Sequence, residues 1–263
     1  MNESASIAVV FATMGRPAVA AACVRALAAQ TRVPDLVVLA LNDPADGTRE
    51  AIAWLGALPF EIIFHAMAEN RGNAGGVEEA MALAMAKQAA FVWVLDDDSL
   101  PRPDALAALV LAGSAPDTVV HPMQIDPRTN EIAWPVVVRE PGLDWRMIDR
   151  LGDMPEQEML ESRPSWTGAL LPRAAIEAAG PVRGDLFIRG EDDEYSLRVA
   201  DHGFRYSLVR AAVLDHPGPL GMVSLRVFGK RFFWEPELAE WKLFYKVRNH
   251  IWLQSQRQGV SMA

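Results

Sequence analysis

The first hundred residues alternate short apolar runs with helix-like stretches, and this alternation restricts the fold more than any other feature. Each apolar run is rich in Val, Ile, Leu or Phe and has the length of a buried strand. The predicted strands are Ile7–Ala12, Leu36–Leu41, Phe60–His65 and Phe91–Leu95, and the predicted helices are Pro17–Gln30, Gly47–Leu58 and Asn73–Gln88. Strands separated by helices form βαβ units with right-handed crossovers, so we expect a doubly wound α/β structure with a mainly parallel sheet.

The second half of the chain has a different pattern. Residues 126–130 are turn-rich and join two strand-like segments in a hairpin-like arrangement. Residues 139–164 contain 11 charged groups in 26 positions, which favours a mobile lid. The next segment predicted to be ordered is Trp166–Leu171. The other predicted strands are Thr118–Met123, Ile132–Val138 and Tyr206–Leu214, and the other predicted helices are Arg173–Ala179, Glu191–Asp201 and Pro236–Gln256.

Size and cysteine content limit the class of protein. The 263 residues allow one large domain or two small ones. Cys23 is the single cysteine of the sequence, so neither an intrachain disulfide nor a Cys-rich zinc site can form. The longest uncharged runs have 12 residues, fewer than the roughly 18 that a membrane span requires. The first residues also lack the basic region of a secretory signal, and we therefore expect a cytoplasmic protein.

The strongest local motif is an apolar strand that ends in Asp96, Asp97 and Asp98. Adjacent carboxylates repel each other by roughly 1–4 kcal/mol per pair at about 4 Å. A divalent cation relieves this repulsion, and oxygen ligands suit magnesium or manganese. The alternative is a solvated acidic turn that caps a following helix. Because ligands of doubly wound folds bind at the carboxyl ends of strands, we expect the site to border Thr13–Arg16 and Asp96–Asp98.

A second acidic cluster, Glu191–Glu194, begins a predicted helix. Acidic residues in a first helical turn are favoured by the helix dipole, which alone accounts for some of them. A carboxylate near a leaving group can instead accept a proton from an alcohol nucleophile, as a general base does. His216 follows the Tyr206–Leu214 strand and is either a neutral metal ligand or a loop residue.

A glycine-rich turn, Asn70–Gly76, leads into the third predicted helix. It does not match the dinucleotide fingerprint G-x-G-x-x-G, which disfavours a nicotinamide cofactor. Glycines at such a turn let a ligand approach the backbone and leave helix amide groups free for an anion. We therefore expect donor contacts here.

Together these motifs resemble the family 2 glycosyltransferases of the GT-A fold, and bacterial galactofuranosyl- and rhamnosyltransferases in particular. The resemblance covers roughly residues 5–217. The matching segments are Val10–Arg16, Asn70–Gly76, Asp96–Asp98, Trp166–Gly168, Glu191–Asp192 and His216. The tail Trp241–Asn249 is similar to the aromatic and basic element with which many members end. The resemblance implies a GT-A domain at residues 1–217 and a helical extension at 218–263 that packs on it.

The resemblance also implies roles for single residues. Asp96, Asp98 and His216 would hold Mn²⁺ or Mg²⁺, with Asp96 on the ribose or metal side. Asp192 would be the catalytic base, and Glu191 would help to hold the acceptor. Trp166 would line the sugar pocket. Further nucleotide or donor contacts would come from Thr13, Arg16, Asn42, Asn70, Asn73, Gly75, Gly76 and Asp97, with Asn42 standing where many relatives have Asp.

These roles amount to an inverting transfer of a sugar from a nucleoside-diphosphate donor, of the UDP-galactofuranose or dTDP-rhamnose type. The acceptor would be a hydroxyl of a glycan or of a polyprenyl-linked glycan. A leaving diphosphate needs charge neutralisation and an attacking hydroxyl needs a base, and the two acidic clusters match these two tasks. The charged 139–164 segment would close over the site and exclude water.

Charge is unevenly distributed. Residues 1–204 carry 16 Lys and Arg against 30 Asp and Glu, whereas residues 205–263 carry 9 against 4. The acidic body argues against a nucleic-acid partner. Phe228–Trp234 interleaves aromatic and basic groups, which suits a membrane interface or a protein partner. The alternative is a tail that completes the core and stacks against the site.

Other function classes fit less well. Residues 96–99 loosely match the D-x-D-x-[ST] loop of haloacid dehalogenase-type phosphatases, but three predicted strands precede it, whereas that nucleophile normally ends a first strand. A sugar-1-phosphate nucleotidyltransferase would need a glycine- and lysine-rich loop near the start of the chain. A non-catalytic sugar-nucleotide-binding protein would not need both acidic clusters.

Overall fold

The computed structural model describes residues 5–113, 115–219, 223–227, 230–235 and 237–258. Its first half contains four parallel strands: β1 (Ile7–Thr13), β2 (Leu36–Leu41), β3 (Glu61–Ala66) and β4 (Phe91–Val94). They lie in the order β3-β2-β1-β4. The chain thus turns back beside β1, and the switch point between β1 and β4 lies where the sequence predicts the site.

Helices cover both faces of these strands, because every residue of β1 and β2 is buried and alternate side chains point to opposite faces. In β1, Ala8 and Val10 belong to one core cluster, and Val9 and Phe11 belong to the other. The helices are α1 (Pro17–Ala28), α2 (Thr48–Ala53) and α3 (Gly72–Ala86). The predicted second helix, Gly47–Leu58, is longer than α2, which ends at Ala53.

The second half extends the same sheet. Its further strands are β5 (Leu100–Pro101), β6 (Thr118–Asp126), β7 (Glu131–Ile132), β8 (Val136–Arg139), β9 (Arg146–Ile148), β10 (Met159–Ser162), β11 (Leu170–Pro172) and β12 (Arg205–Asp215). The complete order is β3-β2-β1-β4-β11-β6-β12-β10-β8-β9, with β7 on β6 and β5 on β12. The helices are α4 (Ala105–Ala112), α5 (Arg173–Ala179) and α6 (Glu191–Asp201), of which the sequence analysis missed α4.

Two predictions for this half are wrong. Residues 139–164 are not a loop-like lid, because β9 and β10 lie in the sheet and β10 pairs with both β12 and β8. Ile148 and Leu160 are buried in a third core cluster, which explains why so charged a segment is built into the sheet edge. The predicted strand Ile132–Val138 is two strands, β7 and β8, with Pro135 in the break.

The tail forms a hairpin and a helix. Strands β13 (Val223–Val227) and β14 (Lys230–Trp234) pair antiparallel, and α7 covers Glu240–Gln258. Of the predicted aromatic and basic run, Phe228 lies outside the described residues, as do the side chains of residues 230–234. Within the described part of the chain, no helix is both long and apolar enough to cross a membrane.

Candidate active site

Three potential metal ligands meet beside the carboxyl end of β4. Asp96 and Asp98 follow β4, and His216 follows β12, which reaches the same point as a neighbour of β5. One ligand atom of each residue lies within 4.8 Å of the others. His216 Nδ1 is 3.5 Å from Asp98 Oδ1 and 3.2 Å from the hydroxyl of the buried Ser99. Two carboxylates and an imidazole form a donor set that could hold a divalent metal ion.

The middle aspartate points away from this group. Asp97 is 2% exposed, and its carboxylate accepts hydrogen bonds from the Thr13 hydroxyl at 2.7 Å and from the Arg16 guanidinium. Burial raises the pKa of Asp97 to about 6, against the effect of Arg16 and the Thr13 hydrogen bond. Arg16 also donates to Asp98 Oδ2 at 3.0 Å. Of the predicted nucleotide contacts, Thr13, Arg16 and Asp97 therefore bind one another and hold the acidic turn against β1.

The second acidic cluster begins α6 and lies within electrostatic range of the first. Burial raises the pKa of Asp96 against the effect of His216, and the carboxylates of Asp98 and Asp192 raise it further. Glu191 is 3% exposed, and burial, followed by Asp192, raises its pKa to about 8. The two clusters, far apart in sequence, thus converge on one site. Asp192 is only partly buried and accepts a hydrogen bond from the Gly190 amide at 3.0 Å.

Among the described residues, one carboxyl oxygen of Glu191 accepts a hydrogen bond and the other does not. Its Oε1 accepts a hydrogen bond from Asn73 Nδ2 at 3.1 Å, which links α6 to the start of α3. Its Oε2 is buried and has no hydrogen-bond partner among the described residues. A carboxyl group in this setting is favoured in its protonated form, because burial disfavours the charge.

The Asn70–Gly76 turn is held by the protein itself. Asn42 is 8% exposed, and its amide accepts from the Arg71 backbone N–H at 3.0 Å and donates to the Gly72 carbonyl at 3.0 Å. Asn70 Oδ1 accepts from the Gly72 N–H at 2.9 Å. The amide of Asn42 therefore helps to hold the turn through both its oxygen and its nitrogen, and its contact with a nucleotide base stays a prediction.

Two backbone amides of this turn are used within the protein, and anion binding at the turn stays a prediction. The Ala74 N–H donates to the Phe187 carbonyl at 3.0 Å, and the Gly75 N–H to the Arg71 carbonyl at 3.2 Å. Gly75 and Gly76 are buried, and a Cβ on Gly76 would lie 2.6 Å from Ala12 Cβ. In the structure these glycines therefore allow protein elements to approach closely.

The loop before β11 contacts both the predicted metal ligands and α6. Thr167 donates from Oγ1 to Asp96 Oδ2 at 2.9 Å. Trp166 is 5% exposed and packs edge-on against Tyr195 of α6, with ring centroids 5.4 Å apart. Trp166 therefore packs in the core against α6, and its place in a sugar pocket stays a prediction.

Sequence reasoning missed three residues at the site. Ser99 and Thr167 touch the predicted metal ligands, and both belong to motifs that the sequence analysis singled out. Asn249 of α7 is fully buried and donates to the loop that precedes Glu191. A buried, uncharged polar residue on an aromatic and basic helix is a weak signal that sequence alone does not separate from surface positions.

Comparison with known proteins assigns the family. The model of the family described as "Glycosyltransferase like family 2" matches residues 5–235. The chain belongs to this glycosyltransferase family. Galactofuranosyltransferase GlfT1 of Mycobacterium tuberculosis is 30% identical over an alignment of 264 positions, which covers 97% of this chain and 84% of that protein. The Mycolicibacterium smegmatis protein of the same name is 26% identical over an alignment of 274 positions, which covers 97% of this chain and 85% of that protein.

Solved glycosyltransferase structures confirm the predicted GT-A fold. The mannosyltransferase PcManGT from Pyrobaculum calidifontis, in complex with GDP-Man and Mn²⁺, has a TM-score of 0.57 at 20% identity, over 83% of this chain and 59% of that one. TarS of S. aureus has a TM-score of 0.57 at 15% identity, over 81% of this chain and 36% of that one. The chain thus spans about a third of TarS. With the family assigned, this glycosyltransferase is not a haloacid dehalogenase-type phosphatase.

Proposed function

We propose that this glycosyltransferase performs a metal-dependent, inverting transfer from a nucleoside-diphosphate sugar to a hydroxyl of a glycan or of a lipid-linked glycan. The observation that carries the proposal is the convergence of two carboxylate clusters, Asp96–Asp98 and Glu191–Asp192, on one site. A metal ion held by the Asp96–Asp98 cluster would neutralise the leaving diphosphate, and the Glu191–Asp192 cluster would supply the base for the attacking hydroxyl. Direct displacement with these groups on opposite sides of the anomeric carbon inverts its configuration.

Asp96, Asp98 and His216 would hold Mn²⁺ or Mg²⁺, as their donor set fits. A divalent ion bound there supplies charge neutralisation for the leaving diphosphate. Arg16 keeps Asp98 Oδ2 occupied at 3.0 Å, while Oδ1 faces His216. Thr167 fixes Asp96 through Oδ2, so the hydrogen bonds of the protein orient both carboxylates.

Asp192 is the proposed general base. It is more accessible than Glu191, and the Gly190 amide holds its Oδ1 at 3.0 Å, which leaves Oδ2 to accept the proton of an acceptor hydroxyl. Glu191 stays protonated at neutral pH, since its pKa is raised to about 8, and so it does not compete for that proton. Its buried carboxyl group holds Asn73 and thereby fixes the start of α6 against α3.

The proposed donor is a galactofuranosyl nucleotide, with a rhamnosyl nucleotide as the related possibility. The support is the 30% identity to galactofuranosyltransferase GlfT1 over nearly the whole chain. A base contact by Asn42 remains part of the proposal, and the hydrogen bonds of its amide to the turn would fix its orientation.

We further propose that the enzyme works in the cytoplasm and meets a lipid-linked acceptor at the membrane surface. The support is an apolar face of α7 on which Leu243, Phe244, Val247 and Ile251 are exposed. These positions share one side of the helix, opposite Asn249. An amphipathic helix of this kind can lie in a lipid interface. Liposome cosedimentation with Phe244→Glu as the matched variant tests this, and equal binding by both proteins, or none, contradicts it.

The transferase proposal is tested first by ligand-induced stabilisation. We expect Mn²⁺ together with UDP, dTDP or GDP to raise the melting temperature, since ligand at about 100 times its Kd adds about 2.7 kcal/mol. No shift with any nucleotide contradicts the proposal. A transfer assay with UDP-galactofuranose, dTDP-rhamnose and octyl glycosides as acceptors, with linkage analysis of the product, then identifies the donor and the stereochemistry.

Substitution separates the two acidic clusters. Asp192→Asn should keep Mn²⁺-dependent UDP binding and lose transfer, because the amide cannot accept the proton. A non-catalytic sugar-nucleotide-binding protein would bind UDP without transfer in the unmodified form as well. An Asp192→Asn protein that transfers sugar at the unmodified rate contradicts the assignment of the base.

A further inference from the structure

Asn249, in the middle of α7, is a buried side chain whose amide is bonded through both its nitrogen and its oxygen. It is 0% exposed, and its Nδ2 donates to the carbonyls of Leu186 at 2.9 Å, Ile188 at 3.0 Å and Arg189 at 2.8 Å. Its Oδ1 accepts from the Arg248 Nε at 2.8 Å, which fixes the direction of the amide. All three carbonyls belong to the segment that leads directly into Glu191 and Asp192.

This segment has a backbone that needs external support. Phe187 and Arg189 have φ values of +68° and +65°, and Gly190 has +119°. Left-handed conformations are rare for residues other than glycine and persist only where the surroundings enforce them. A Cβ on Gly190 would lie 2.9 Å from Asn249 Cβ. The side chain of Asn249 therefore packs directly against Gly190, the residue that precedes α6.

Other residues of the tail hold the same segment. Arg248 donates to the Leu186 carbonyl at 2.8 Å, and Tyr245 stacks on the Phe187 ring with centroids 4.7 Å apart. Arg189 pairs with Glu235 at 3.2 Å. The Phe187 carbonyl also accepts a hydrogen bond from the Ala74 N–H at the start of α3. The segment 186–190 is therefore clamped between the tail and the Asn70–Gly76 turn.

We propose that Asn249 is a positioning residue for sugar transfer, which holds Asp192 in reach of the acceptor hydroxyl by fixing the backbone of residues 187–190, three of which have positive φ. The inference rests on the proposed role of Asp192 as base. Among the described residues, Asn249 forms no hydrogen bond with the predicted metal ligands or with Asp192, so it acts through the backbone. The part of α7 around Asn249 then contributes to catalysis indirectly.

The structure predicts a specific kinetic signature. A misplacement of about 1 Å in a catalytic group costs on the order of 10²-fold in rate. We therefore expect Asn249→Asp and Asn249→Ala to lower kcat by about that factor. Asn249→Asp is the informative variant, because it keeps the shape of the side chain but places a carboxylate against three carbonyls. The Mn²⁺-dependent affinity for UDP should stay unchanged, because that site is built from β4 and β12.

The control is Arg257→Ala. Arg257 attaches the far end of α7 to Asp201 at the end of α6, at 3.1 Å, and does not touch residues 186–190. This variant should keep its kcat. Transfer is followed as UDP release from UDP-galactofuranose with octyl glycoside acceptors, and UDP affinity by calorimetry with Mn²⁺. Hydrogen exchange should speed up at residues 187–194 in both Asn249 variants and stay slow there in Arg257→Ala.

The outcomes separate cleanly. A wild-type kcat in Asn249→Asp overturns the inference, and so does an equal loss of kcat and UDP affinity, which marks general unfolding. If neither Asn249 variant folds, Arg248→Ala replaces them, because Arg248 is exposed and contacts the same segment, and a wild-type kcat there overturns the inference. An unmodified enzyme that transfers no sugar contradicts the proposed function instead.

Discussion

Replacing the buried carboxyl of Glu191 by a carboxamide should change how protein stability depends on pH. Glu191 has a pKa of about 8 in the folded protein, against 4.5 as the ordinary value. A raised folded-state pKa means that the folded protein holds a proton that the unfolded chain has released. Stability is therefore fully present below the ordinary pKa and is lost as the pH rises towards the folded pKa.

The magnitude follows from the two values. Each pH unit between them is worth about 1.4 kcal/mol, so from about pH 5.5 to about pH 8 the unmodified protein loses about 3 kcal/mol through Glu191. Glu191→Gln has no proton to lose, and its neutral amide has nearly the same shape. The difference in free energy of unfolding, variant minus unmodified protein, should rise by that amount over the range.

Urea denaturation at several pH values in the presence of a chelator measures this difference. The chelator keeps metal binding at Asp96 and Asp98 from contributing a second pH dependence. Glu177→Gln, the same substitution at a side chain that is 57% exposed, controls for the chemical change itself. Parallel stability curves for Glu191→Gln and the unmodified protein would refute the reasoning.

Three further predictions concern packing and metal binding. Gly76→Ala should lower the free energy of unfolding by about 1–3 kcal/mol, because its Cβ meets Ala12 at 2.6 Å, whereas Gly152→Ala, with nothing within 4 Å, should lower it much less in the same urea titration. Asn42→Ala should cost about 1–3 kcal/mol for each of the two backbone groups of the turn that it leaves unpaired; unchanged urea midpoints contradict this. Asp98→Ala should fold but lose the Mn²⁺-dependent melting shift with UDP, and a retained shift removes Asp98 from the ligand set.

The sheet and its switch point were predictable because the central strands are uniformly apolar. Ile7–Thr13 and Leu36–Leu41 are buried on both faces, and such strands read as continuous hydrophobic runs. The prediction for residues 139–164 was wrong for a different reason. On the neighbouring strands β8 and β10, charged side chains such as Arg139 and Glu161 pair across the surface of the sheet, so a high charge count does not exclude a strand.

The predicted metal ligands did come together, because each follows a strand that ends at the same edge of the sheet. What sequence could not show is which polar groups are already used by the protein. Asn42 binds the turn and Asp97 binds Arg16, and both depend on contacts between residues far apart in the chain. Asn249 was missed for the same reason, since its partners lie about sixty residues away.

The guanidinium of Arg16, forked between Asp97 and Asp98, has a consequence for the proposed metal site. It acts as an internal counterion, so the acidic turn is partly neutralised in the absence of a metal ion. The chain would then fold without the proposed ion, and the ion would bind reversibly to the folded protein. Dialysis against a chelator should abolish sugar transfer while the circular dichroism spectrum stays the same. Added manganese should restore transfer without refolding.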